Sequence, residues 1–329
     1  MSSTELAPSS SSPISDRPRP FRFGVMAGAK DTAGWTELVQ GAERLGYSTV
    51  FLSDHLDLSG SHVSTMSPLP ATAATAMLTE RLHVGTAVLN QDLRHPVVVA
   101  QEAATIQQLS GGRLELGIGA GWAKTEYDWA GIPFDDSATR VRRLAEYAQV
   151  VRAVLHSSTS VDFDGEFFHL DKMPGSASAT VPPPPLMLGG KGSSVLGIAA
   201  RFADIVNLNM VGSHDACYED VDAKLNDLGA RHARTRELEL AMMVGSVIVS
   251  SGDRRSAAQQ RIESLATLHS TGLRDPDQAL LSPSVLVGSE AQIADDLLAR
   301  RSRWGISYFI VRHEDMTALA PVIDQIAGV

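Results

Sequence analysis

Residues 81–122 read RLHVGTAVLNQDLRHPVVVAQEAATIQQLSGGRLELGIGAGW. The run LHVGTAVL (82–89) is apolar on both faces, as a strand covered on two sides must be. Polar residues from Asn90 to His95 interrupt it. Pro96 then falls near a helix start, where its missing N–H does no harm. PVVVAQEAATIQQLS carries apolar residues at helical spacing, and LELGIG (114–119) is a second two-faced apolar run. Strand, helix, strand in that order is the unit from which parallel sheets are built.

The same alternation extends in both directions. Strand candidates are FRFGVM (21–26), STVFLSD (48–54), LMLGG (186–190), IVNLNM (205–210), LAMMVGSVIV (240–249) and SYFIVRH (307–313). Amphipathic helical patterns separate them, among them GWTELVQGAERLG, RVRRLAEYAQVVRAVL and EAQIADDLLARRSRWG. Eight strands, each followed by a helix, predict a closed (β/α)8 TIM barrel, in the α/β class. The competing open, doubly wound sheet would show G-x-G-x-x-G after its first strand. VMAGAKDTAG lacks that spacing.

Three segments fall outside the repeat. The first twenty residues, MSSTELAPSSSSPISDRPRP, are too poor in apolar side chains to bury surface and read as a disordered tail (1–20), leaving 21–329 as one barrel domain. An insertion near 157–184 contains SVDFDGEFFHL (160–170), with Asp164-Gly165 as a hairpin turn, followed by the loop DKMPGSASATVPPPP. A second, near 250–285, is polar with one helical stretch at AAQQRIESLATLH. Long loops of a barrel are candidate lids.

Composition narrows the function. With 43% hydrophobic residues the chain of 329 can bury a large core, and its net charge of −10 argues against nucleic acid or an anionic membrane as partner. Cys217 is the one cysteine, so no internal disulfide forms, which fits a cytoplasmic protein. No run resembles a signal peptide, which needs about seven consecutive apolar residues, or a membrane span, which needs about eighteen.

In a TIM barrel the ligand sits at the carboxyl ends of the strands. Those ends carry Ser53-Asp54-His55, Thr86 to Asn90, Gly117 to Trp122, Gly189-Gly190-Lys191-Gly192, Asn207-Leu208-Asn209 and Arg312-His313-Glu314-Asp315. Singly, each has a local reading: a cap, a turn, a core aromatic. Their recurrence at successive strand ends points to a site. LMLGGKGSS (186–194) followed by a helical pattern reads as an anion cradle, its glycines turning N–H groups toward a phosphate at the helix start. The helix dipole adds about 0.3–1 kcal/mol, and about 2 if partly buried. It is not a nucleoside-triphosphate loop, because Gly189 and Gly190 are followed at once by Lys191.

GYSTVFLSDH, the 81–122 segment and PPPPLMLGGKGSSVLGIAARFADIVNLN together resemble the bacterial-luciferase-like family of flavin- and deazaflavin-dependent oxidoreductases, across roughly residues 20–325. The chain is most similar to members that use coenzyme F420. The resemblance implies a tricyclic ring over the barrel mouth, with a catalytic set of His55, Asp54 and Trp122. Histidines titrate near neutrality, which suits proton transfer beside a hydride held within about 3–3.5 Å of its acceptor. It implies cofactor contacts from Asp54, Thr86, Ala87, Val88, Asn90, Gly119, Gly121, Gly189, Gly190, Lys191 and Gly192, and a non-proline cis peptide at the Ala87-Val88 bulge. It also implies a homodimer.

Trp122 stands where the family's sugar-phosphate dehydrogenases carry a glutamate, and strand six lacks a lysine for a substrate phosphate. The expected substrate is therefore a more apolar enone, imine or alcohol. FMN with reduced-flavin monooxygenase chemistry is the alternative cofactor and activity. A non-catalytic flavin-binding protein would be expected to have lost Asp54 and His55. A metal-dependent hydrolase would need His55, His83, His95 and His313 to cluster, and their spacing gives no ligand motif. No metal site is expected.

Overall fold

The computed structural model describes residues 19–28, 31–56, 66–190, 192–209, 218–231, 237–265 and 275–329. In chain order the elements are β1 (Arg22–Met26), α1 (Thr32–Arg44), β2 (Thr49–Leu52), α2 (Pro68–Leu78), β3 (His83–Thr86), β4 (Leu89–Asn90), α3 (Pro96–Leu109) and β5 (Leu114–Gly119). Then come α4 (Lys124–Ala130), α5 (Ser137–His156), β6 (Ser160–Asp164), β7 (His169–Pro174), β8 (Leu186–Gly190), α6 (Ser193–Phe202), β9 (Ile205–Leu208) and α7 (Tyr218–Arg231). The chain continues through β10 (Glu239–Met243), β11 (Ser246–Val249), α8 (Arg254–Leu265), α9 (Pro276–Leu281), β12 (Val285–Gly288), α10 (Glu290–Trp304), β13 (Ile306–Arg312) and α11 (Met316–Ile326).

All the wall strands pair in parallel, in the order β3-β2-β1-β13-β10-β9-β8-β5-β4, and β3 pairs with β5 as well. That last pairing joins the two edges, so the sheet closes into a barrel of eight wall positions, β3 and β4 sharing one. β2, β5 and β9 are buried along their whole length, which is why their sequences show apolar runs rather than alternation. The two ends of the barrel chain meet: Phe21 bridges Ala327, and Gly328 N–H donates to the Phe21 carbonyl at 3.2 Å.

Inward-facing side chains form layers. At the amino-terminal end, Arg22 pairs with Glu115 and, at 2.8 Å, with Glu239; Tyr308 and Thr49 donate to Glu115 at 3.0 and 3.2 Å. Burial alone would raise Glu115, but His83 and Arg22 hold its carboxyl below the ordinary range. Burial pushes Glu239 up despite the opposing pull of Arg22. Above this charged floor, Met26, Phe51, Met187, Ile205, Ala241 and Ile310 pack as an apolar plug. A Cβ on Gly24 would lie 3.0 Å from the Phe51 ring, so the ring crosses the interior because that wall carries no side chain.

Besides α9, a second helix in the segment near 250–285, four features differ from the sequence expectation. The run at 240–249 is not one strand: it breaks at Val244-Gly245, and β11 leaves the wall to pair with β12 in a separate two-stranded sheet. β12 itself was not anticipated. It supports a small apolar cluster with α8 and α9 through Ile248, Ala258, Ala279 and Val287. The hairpin at 160–170 is present, but β7 continues to Pro174 into the expected loop. The short helix α4 was not anticipated either. The hairpin turn is held by Glu146, which accepts N–H groups of Glu166, Phe167 and Phe168, and the Phe168 ring reaches His95 at the start of α3.

Candidate active site at the barrel mouth

Asp54 follows β2 and is buried. Its Oδ2 accepts from the Asn90 N–H at 2.9 Å and from Arg94 Nη1 at 2.6 Å. The carboxylate thus pins the β4 turn and the approach to α3 against β2. Asn90 continues the brace: its Oδ1 accepts from Asp92 N–H at 3.1 Å and lies 2.9 Å from the Tyr127 hydroxyl. That hydroxyl is also 2.8 Å from Asp92, and burial together with Asp92 pushes the phenol up. Arg143 closes the chain on Asp92 at 2.7 Å.

Thr86 and Gly117 hydrogen-bond reciprocally, hydroxyl to carbonyl at 2.8 Å and N–H to hydroxyl at 2.9 Å. The hydroxyl of Thr86 is therefore spent joining β3 to β5. The Ala87-Val88 peptide is cis. Val88 packs over Gly119, where an added Cβ would come within 2.6 Å of Val88 Cγ2. Gly121 has φ +71°, and a side chain there would strike the Tyr127 hydroxyl.

On β8, the strand beside β5, Gly189 faces Asn207 and Gly190 lies against Val195, which a Cβ would approach to 2.8 Å. Gly192 is the N-cap of α6 and offers no side chain to its first-turn N–H groups. Lys191, Met210, Cys217 and residues 1–18 of the expected tail lie outside the described residues. Two buried polar atoms of the upper barrel, Ser53 Oγ and Asn207 Oδ1, have no hydrogen-bond partner. Alternation from Phe51 and Ile205, both in the inner plug, puts them on the inward side.

His55 leads into a contact that sequence reasoning missed. Its Nδ1 lies 2.7 Å from Glu126 Oε1, and Glu126 Oε2 accepts the Leu56 N–H at 3.1 Å. Glu126 comes from α4 and is buried, whereas Trp122 is 69% exposed and meets the His55 ring edge-on at 5.6 Å. The signal for Glu126 was a carboxylate four residues after Trp122, on a helix of seven residues too short to show periodicity. Arg94 stands in the polar run after strand three, and nothing in that run points to Asp54 as its partner. The four histidines of the metal reading do not converge, since His83 stands on the floor beside Glu115 while His55 and His95 follow strands at the mouth. Among the described residues no group of three or more His, Cys, Asp or Glu is placed to hold a metal ion.

Residues 19–307 match the family of luciferase-like monooxygenases. The chain belongs to that family. Within the luciferase-like relatives, it is 30% identical over 253 residues to the F420-dependent glucose-6-phosphate dehydrogenase of Nakamurella multipartita, an alignment covering 74% of this chain and 71% of that one. The corresponding enzyme of Beutenbergia cavernae is 34% identical over 198 residues, 56% of this chain and 55% of its own. Solved structures share the fold. An F420-dependent secondary alcohol dehydrogenase bound to an F420-acetone adduct superposes with a TM-score of 0.71 at 20% identity, covering 93% of this chain and 98% of that one. A monooxygenase from Streptomyces bottropensis superposes with a TM-score of 0.72 at 20% identity, with the same coverage. The (β/α)8 barrel of the luciferase-like family is thus the fold of this protein.

Proposed function

We propose that this luciferase-like chain is an F420-dependent oxidoreductase that moves a hydride between the deazaflavin and a small organic substrate of the enone, imine or alcohol type. The observation that carries the proposal is the pairing of His55 with buried Glu126 at the end of β2, beside an inner wall where Val88 of the cis Ala87-Val88 peptide packs over Gly119. The residues fit the cofactor. Val88 packs into the space a side chain at Gly119 would take and so presents an apolar face for a flat ring, Ser53 Oγ and Asn207 Oδ1 are buried polar atoms still wanting a partner, and the uncapped start of α6 suits a phosphate. When bound, F420 supplies a two-electron hydride donor or acceptor. Asp54, Thr86, Ala87, Val88, Asn90 and Gly121 shape the seat, and Trp122 covers the substrate side as an apolar wall. His55 exchanges the substrate proton. Trp122 and the Asn207-Leu208-Asn209 sequence support an apolar substrate over a sugar phosphate.

Residues 21–329 form one domain on this reading, with the hairpin and the β11–β12 unit as insertions. Met77 of α2 and Val98 and Leu109 of α3 are exposed apolar side chains on helices that pack together, which supports a homodimer testable by sedimentation. No helix among the described residues is long and apolar enough to cross a membrane.

Fluorescence titration tests the cofactor: F420 should bind in the micromolar range and FMN should not. His55→Ala should lower turnover at least about tenfold with F420 binding retained. FMN binding with substrate-linked oxygen consumption, and no F420 turnover, would replace this reading by the monooxygenase one.

A further inference from the structure

We propose that Glu126 is a positioning residue that fixes the tautomer of His55, so that Nδ1 carries a proton and Nε2 is the nitrogen that exchanges a proton with the substrate. The inference rests on the hydride-transfer reading above, but its central observable does not. The Glu126 carboxylate is acceptor-only, with two oxygens. Oε2 takes the Leu56 backbone N–H, a group that can only donate, at 3.1 Å. Oε1 lies 2.7 Å from His55 Nδ1, so that nitrogen has to present its hydrogen. Both contacts come from one side chain buried to 4% exposure, and both fall on consecutive residues, so ring position and tautomer are set together. Which nitrogen is protonated is decided by the bond that the other makes.

The proton balance follows. In the oxidative direction the hydroxyl proton would pass to Nε2 as the C=O bond forms, the hydride from the carbinol carbon being what a bound F420 would accept. The imidazolium keeps its Nδ1–H on Glu126. In reverse, Nε2–H returns its proton to the oxygen of the carbonyl as hydride arrives at carbon. Had Nε2 carried the proton in the neutral ring, it could not accept one.

Glu126→Gln separates this role from packing. The amide has a single acceptor oxygen, and the Leu56 N–H claims it. The NH₂ group then faces Nδ1 and forces the ring into the other tautomer. Imidazole ¹⁵N spectra of the ligand-free protein, assigned by difference against His55→Ala, should show Nδ1–H in the wild type and Nε2–H in Glu126→Gln. The variant should lose about 100-fold in kcat with F420 affinity within about threefold. Adding Glu126→Gln to His55→Ala should cost less than about twofold more, because the two act as one unit. A wild-type spectrum showing Nε2–H overturns the proposal even if no variant folds. So does Glu126→Gln turning over at wild-type rate while His55→Ala does not. Full turnover in His55→Ala, or failure to bind F420, would instead remove the functional reading and leave the tautomer result standing.

Discussion

At the residue scale, most of the mouth is organised by groups that hold one another rather than a ligand. Asp54 was legible as a polar residue at a strand end, but its partner Arg94 was not, because a contact across forty residues leaves no local trace. Removing that partner leaves a buried carboxylate facing only a backbone N–H. Arg94→Met should therefore destabilise by about 3 kcal/mol, read from urea unfolding, since breaking a buried pair costs more than forming it gains. Gly119→Ala tests the cofactor seat. Its new methyl would meet Val88 at 2.6 Å, and the side chain over the Ala87-Val88 peptide has to move. F420 affinity should drop by about tenfold or more, with a smaller loss of stability. The glycines were readable as a group because they sit at the carboxyl ends of short, mostly apolar strands. Glu126 was hidden by the shortness of its helix.

At the element scale, the wall strands were the clearest part of the sequence, 114–119 and 186–190 coinciding with β5 and β8, while the short helices α4 and α9 left no pattern to read. α10 begins with a capping box: Ser289 Oγ accepts from Gln292 N–H and Gln292 answers to the Ser289 N–H at 2.9 Å. Ser289→Ala should cost about 1 kcal/mol in thermal or urea unfolding. The α2–β3 connection depends on Glu43 of α1, whose Oε1 accepts N–H groups of Glu80, Arg81 and Leu82 at 3.0, 2.6 and 2.9 Å. Burial would raise this carboxyl, but the three donors outweigh it and hold it below its usual 4.5. A lowered carboxyl contributes stability above its unfolded value and loses it as the pH falls through the folded one. Urea midpoints from about pH 6 to about pH 3 should therefore fall less steeply in Glu43→Gln than in the wild type. The β10–β11 break escaped notice for a physical reason. MMVGSVIV is interrupted only by Gly245-Ser246, and leaving a barrel wall for another two-stranded sheet changes a strand's neighbours while leaving it mostly buried.

Over the whole molecule, the closed barrel was readable because eight repeats of strand and helix have few other ways to cover two-faced strands. What the pattern could not show was the division between its ends. A charged cluster closes the floor and a second one braces the mouth, where the candidate chemistry lies, with the apolar plug between. Tyr308→Phe removes one donor from Glu115 and leaves Arg22 in place. It should cost about 1–2 kcal/mol while F420 affinity stays within about twofold. The bridge between Phe21 and Ala327 has another consequence. With Phe21 and Ala327 bridged side by side, a short flexible connector could join the two ends, and a new beginning could be cut at exposed Ala179-Thr180, ahead of β8. Such a circularly permuted chain would keep every wall pairing while reversing which half emerges first during synthesis, so the order of assembly could be varied without altering the finished ring.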